Sequence, residues 1–221
     1  KHGLQRTLGN QAVILKARGD LDGAITLYKQ QERICLELGN KHGLQATLGN
    51  QAIILYARSD LDGAMTLHKL KEQICRELGN KHGLSSSLGN QALILQTLGD
   101  LDGAMTLHKQ EQQICRELGN KHGLQRTLGN QAVILKARGD LDGAMTLHKQ
   151  EEQICRELGS KDGLAISLVN QARVLAKTHE LDAALSLAEE SYNIAIRHGQ
   201  TALAEQIKPI LDRLRQIVGK G

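Results

Sequence analysis

The stretch KHGLQRTLGNQAVILKARGDLDGA occurs twice, at 1–24 and at 121–144, and edited copies of it begin at Lys41, Lys81 and Lys161. The spacing is 40 residues each time. A fixed period in this range marks a chain built from stacked copies of one small unit, each unable to bury its apolar face alone. Such a chain has no single central core, so its 221 residues are counted in units: 1–40, 41–80, 81–120, 121–160 and 161–200, with 201–221 left over as a closing segment.

Within Lys1 to Asn40, Gly19-Asp20 divides the unit into two halves. In the first half Leu4, Leu8, Ala12 and Leu15 recur at spacings of three and four, the signature of an amphipathic helix, A. The second half repeats the pattern with Leu21, Ala24, Tyr28, Cys35 and Leu38, widened by Ile25 and Ile34, giving helix B. Asp20 is placed to cap the N-terminus of B, and Gly39 to adopt the left-handed conformation that ends it. Small Ala12 and Ala24 allow close helix approach. Each unit therefore reads as a helical hairpin, and stacking identical hairpins makes identical interfaces. The fifth unit has drifted, yet it keeps Leu164, Leu168, Ala172, Leu175, Leu181 and Ala184 in register. The closing segment TALAEQIKPILDRLRQIVGKG reads as a capping helix with Leu203, Ile207, Ile210, Leu214 and Ile217 inward and Asp212, Arg213 and Arg215 outward. Pro209 is expected to bend it or to mark its effective start.

Composition narrows the choice further. Trp and Phe are absent and the tyrosines are Tyr28, Tyr56 and Tyr192, so the packing is aliphatic; no period-two alternation suggests a strand. The formal charge is +4, but Lys and Arg are interspersed with Asp and Glu in every unit, and aromatic stacking platforms are lacking. That combination speaks against a nucleic-acid partner. No apolar run of 18 residues is present, so no membrane span is expected. A chain that opens on Lys1, at the head of a unit, reads as an excised piece of a longer protein. Cys35, Cys75, Cys115 and Cys155 hold one equivalent position. Stacked helices lie roughly 8–10 Å apart, beyond the reach of a disulfide. Buried free thiols in a reducing, cytoplasmic setting are the expectation.

Candidate chemistry is sparse. His68 precedes Cys75 by seven residues, a rise of roughly 10.5 Å along a helix, too far for two ligands of one zinc ion; His108 with Cys115 and His148 with Cys155 repeat the spacing. The junction LGNKHGL at 38, 78 and 118 offers backbone N–H groups near a helix start but lacks a phosphate loop's ordered pattern, and a glycine C-cap with a short turn accounts for it. No Ser, Cys or Asp has a partner arrangement suited to nucleophilic or general-base work. The expectation is a protein without catalytic activity, metal or cofactor.

The run LGNQAVILKARGDLDGAITLYKQ resembles a tetratricopeptide repeat, with Gly19-Asp20 at the turn, Ala24 at the small-residue position of B and Tyr28 at the following bulky one. The period of 40 and the LGNQA segment resemble the extended repeats of kinesin light chain and of sensor regions in bacterial signalling NTPases. Leu8 and Leu15 stand at the family's aromatic places, and His68, His108 and His148 stand where Tyr28 does. The resemblance implies an all-α, right-handed superhelical solenoid in which the A helices line a concave groove. On that side lie an apolar row, Val13, Ile53, Leu93 and Val133, with Tyr56 beside it, and basic flanks, Arg6, Lys16, Lys136 and Arg173, accompanied by Arg126 and Lys177. Asn10, Asn50, Asn90, Asn130 and Asn170 repeat at one position, where the resemblance implies amides that bond a bound peptide's backbone. The function implied is a protein-interaction scaffold for a partner peptide with apolar and acidic residues. Two alternatives stand beside it: a sensing segment of a signalling NTPase, and a regular repeat protein, designed or recently duplicated, with no ligand. An unpolar first face would favour end-to-end self-association.

Overall fold

Residues 1–219 are described by the computed structural model, and among them eleven α-helices and no strand are formed. They are α1 (His2–Ala17), α2 (Leu21–Glu37), α3 (Lys41–Ala57), α4 (Leu61–Glu77), α5 (Lys81–Thr97), α6 (Leu101–Glu117), α7 (Lys121–Ala137), α8 (Leu141–Leu158), α9 (Lys161–Lys177), α10 (Leu181–Arg197) and α11 (Thr201–Val218). The chain divides into two compact units, Lys1–Ile114 and from Cys115 onward.

Helix limits follow from local chemistry. Asp20, Asp60, Asp100 and Asp140 each accept the backbone N–H three residues on, at 2.8–2.9 Å. Asn40, Asn80 and Asn120 do the same for the odd-numbered helices at 3.0 Å. The preceding Gly39, Gly79 and Gly119 sit at φ of 61–62°, the left-handed stop that glycine adopts without strain. The LGNKHGL junction is thus one helix's C-cap fused to the next helix's N-cap, and the cap asparagine takes the Gly43 N–H that an anion would need. At the turn inside two hairpins the left-handed residue is not glycine but Ser59 (φ 62°) and His179 (φ 64°).

In the first unit α1 packs on α2, α2 on α3, α3 on α4 and α4 on α5, and α3 also touches α5. One buried cluster joins Ala12, Ala24, Tyr28 and Ile54. The alanines are fully buried, so helices approach closely where the sequence placed small residues. The apolar stripe itself needs correction at two places. Leu4 is 54% exposed rather than packed, and the deepest aliphatic position of helix A is the one held by Ile54, Ile94, Ile134 and Val174, each at most 1% exposed. Its equivalent in α1, Ile14, is 51% exposed. Leu55 and Leu95, one residue on, are half-buried.

In the second unit α7 packs on α8, α8 on α9, α9 on α10 and α10 on α11, with α7 also touching α9. Leu211 and Leu214 of α11 close over Ala172, Ala184 and Ala188, and Ile207 closes over Val169 and Ala195. Of the residues expected to face inward, Ile207 and Leu214 are buried and Ile217 is 42% exposed, while Leu211, assigned to neither side from sequence, is buried. Pro209 lies inside α11, and helix continues on both sides of it.

Polar groups are buried in register as well. His108 Nδ1 lies 3.0 Å from Glu111 Oε2, and His148 Nδ1 2.9 Å from Glu151 Oε2, both pairs out of solvent. Space for these carboxylates comes from a glycine on the facing helix: a Cβ at Gly89 would stand 2.5 Å from Glu111 Oε1, and one at Gly129 2.6 Å from Glu151 Oε1. The fifth hairpin holds Val169 at the glycine register and Ala188 and Ser191 at the His and Glu registers, so the bulk has moved from one helix to the other.

Candidate functional site

Most of the A-helix residues singled out by sequence line three separate cavities. In the first unit α1 and α3 frame a cavity of about 420 Å³ to which Arg6, Asn10, Val13 and Asn50 all contribute. Tyr28 lies behind them; its hydroxyl is buried without a partner, and burial pushes its pKa up. Between α3 and α5, Ile53, Tyr56, Asn90 and Leu93 surround a smaller cavity of about 170 Å³, with His68 and Ile94 behind them. Tyr56 and Thr97 share a hydrogen bond of 3.0 Å between their hydroxyls, which ties α3 to α5 beside this cavity.

The apolar row is neither core nor open surface. Val13 and Ile53 are 48% and 42% exposed, while Leu93 and Val133 are half-buried. Such side chains can still gain by covering, since roughly 25 cal/mol is released per Å² of apolar surface removed from water. His68 is a neutral neighbour: burial, then the nearby Lys71 ammonium, pull its pKa down to about 4, and its Nδ1 is buried without a partner. An uncharged imidazole beside Ile53 and Leu93 adds no charge to the cavity at neutral pH.

In the second unit Lys136 and Arg173 belong to a third cavity, of about 680 Å³, together with Lys177 and Arg213. Sequence reading set Arg213 among the outward residues of the closing helix. The available signal was α11's place after five hairpins, where it stands as one more A-type helix. Lys16, Asn130 and Val133, all half-buried, and the buried Asn170 line none of these three cavities. The asparagines are not equivalent in surroundings: Asn10 is exposed, Asn50, Asn90 and Asn130 are half-buried, and Asn170 is buried with its Oδ1 accepting from Arg173 Nη1 at 3.1 Å.

The cysteines are buried thiols outside any disulfide, and burial, then Glu151 and Glu152, push the Cys155 thiol up to about 12, which keeps it protonated and unreactive. Among the described residues no group of three His, Cys, Asp or Glu is placed to hold a metal ion, and no helix is long and apolar enough to cross a membrane.

Two profiles of the tetratricopeptide repeat match, one over residues 123–197 and one over residues 7–41. No curated protein sequence matches the chain. Among solved structures, the apo form of RapI superposes with a TM-score of 0.87 at 14% identity, covering 98% of this chain and 81% of that one. The nearly identical repeats of a putative kinesin light chain from Podosopora anserina give 0.73 at 18% identity, covering 90% and 99%. A Rap protein complexed with competence and sporulation factor gives 0.69 at 13% identity, covering 98% and 65%. At these identities the likeness is one of fold, an all-α solenoid of helical hairpins.

Proposed function

We propose that this chain, a member of the tetratricopeptide repeat family, is a non-catalytic scaffold that holds a partner peptide along its A helices. The observation that carries the reading is the meeting of Ile53, Tyr56, Asn90 and Leu93 at one small cavity. An aliphatic floor accepts an apolar side chain, and the Asn90 amide, which can donate and accept, suits the backbone beside it. Arg6, in the neighbouring cavity with Asn10 and Asn50, suits an acidic residue of the same peptide. The similar Rap protein is complexed with competence and sporulation factor, which fits a hairpin stack that holds a partner.

The test begins with a peptide selected from a random 15-residue library by the full chain. The double substitution Ile53→Glu, Leu93→Glu should weaken that peptide at least tenfold while circular dichroism retains the helix content. Because Leu93 is half-buried, Ile53→Ser alone serves as the milder variant, with a several-fold loss expected. Unchanged binding in a folded variant would place the peptide elsewhere. A second reading, a regular repeat array with no ligand, is favoured by the letter-for-letter copies at 1–24 and 121–144. Failure of the library to yield any peptide would support it.

A further inference from the structure

The largest of the three cavities differs in chemistry from the other two. Lys136 on α7, Arg173 and Lys177 on α9 and Arg213 on α11 converge on about 680 Å³, with Ile210 and Ile217 of α11 on its aliphatic side. Among the described residues no carboxylate, amide or hydroxyl side chain lines it. Among the described residues, Lys136, Lys177 and Arg213 meet no acidic group, and Arg173 bonds only the neutral Asn170. Other cations of the same unit are matched: Arg156 pairs with Glu152 and Glu190, Lys208 with Asp212, and Arg215 with Glu189. Crowding of like charge is felt at Lys136, whose pKa burial lowers first and Arg173 and Lys177 lower further.

Four cations with no counter-charge among the described residues repel one another, and an anion with more than one negative charge relieves that repulsion. The volume is in the range of small-molecule pockets. A peptide would bring backbone N–H donors that this lining cannot satisfy, since its polar side chains are all cationic donors. An aliphatic chain with a compact anionic head has no such groups. A flat aromatic ligand finds no ring to stack on.

We propose that the cavity bounded by α7, α9 and α11 binds a small amphiphilic dianion, an aliphatic chain ending in a phosphate monoester or a pair of carboxylates, with the head on Arg173 and Arg213 and the chain against Ile210 and Ile217. This site is separate from the peptide surface at Ile53 and Leu93, so either can fail without the other. Titration calorimetry of the full chain at pH 8 would use n-decyl phosphate below its micelle concentration, n-decylmalonate, decanoate and inorganic phosphate. Decyl phosphate should bind one to one, at least tenfold tighter than decanoate or inorganic phosphate, and weaken as salt rises. Tight n-decylmalonate in its place would assign the dicarboxylate source. Arg173→Ala with Arg213→Ala should cost at least tenfold with helix content kept; the exposed Arg213→Glu alone supplies the same test should the pair misfold. Ile217→Ser should weaken decyl phosphate and leave inorganic phosphate as it was, and Lys208→Ala should change nothing. Equal affinity for inorganic and decyl phosphate, full binding by Arg213→Glu, or binding of a Glu-Leu-Glu-Leu peptide at this cavity in preference to every amphiphile would overturn the proposal.

Discussion

Replacing one isoleucine at two copies of the same repeat position separates packing from sequence. Ile54 is 1% exposed and joins Ala12, Ala24 and Tyr28, whereas Ile14, at the same register, is 51% exposed. Ile54→Ala removes three carbons from a closed cluster, about 2.4 kcal/mol in transfer alone at about 0.8 kcal/mol per methylene. Incomplete collapse of the void adds to this, for an expected loss of about 3–4 kcal/mol, within the range known for such truncations. Ile14→Ala leaves no sealed cavity, and alanine's better helix propensity offsets part of the lost contact, so the expected loss is below about 1 kcal/mol. Urea unfolding followed by circular dichroism, fitted with nearest-neighbour terms because repeat arrays are not reliably two-state, reads both values. Equal losses at the two positions would refute the stacking argument, since they would show that burial at Ile54 adds nothing to what α1 already has at Ile14.

Other expectations test separate parts of the structure. Ser59→Gly should raise stability by about 0.5–1 kcal/mol, because a left-handed Ser59 carries strain that glycine does not; an unchanged melting temperature would argue against that turn. His68 is depressed to about 4 in the folded chain, so the unfolded chain takes up a proton near pH 6.5 that the folded one refuses. Stability is full above pH 6.5 and falls by up to about 3 kcal/mol on the way to pH 4; His68→Tyr, the residue of the first hairpin, should flatten that slope, and an unaltered profile would contradict the burial of a neutral imidazole. Gly129→Val alone should cost more than about 2 kcal/mol through its clash with Glu151, and adding His148→Ala and Glu151→Ser, the arrangement of the fifth hairpin, should recover most of it; a double-mutant cycle showing simple additivity would sink the compensation.

Features set by neighbours a few residues away were readable in advance. Asp20 as a cap, Gly39 as a left-handed stop and the small residues Ala12 and Ala24 each follow from spacing within one hairpin. Adjacent Ile54 and Leu55 could not be ranked that way, because they sit about 100° apart on one helix and only the facing hairpin decides which is sealed. The pairing of Gly89 with Glu111 and His108 was hidden for a similar reason: it joins two helices through a register that no period inside one helix reveals. Arg213 was set outward and is exposed, but on the side of α11 that lines a cavity with Lys136, Arg173 and Lys177, which charge alone does not reveal. Of the candidate binding residues, sequence grouped them as one stripe; the division of most of them among three cavities depends on backbone positions of α1, α3, α5, α7, α9 and α11.

Methyl NMR on the full chain, labelled at isoleucine and leucine and titrated with the library-selected peptide, tests the proposed peptide surface most directly. The account predicts saturable shifts confined to Ile53, Leu93 and their neighbour Ile94, with the exposed B-helix residues Leu36, Leu70 and Ile196 unmoved. Shifts at Leu36, Leu70 or Ile196 with Ile53 and Leu93 silent would contradict it.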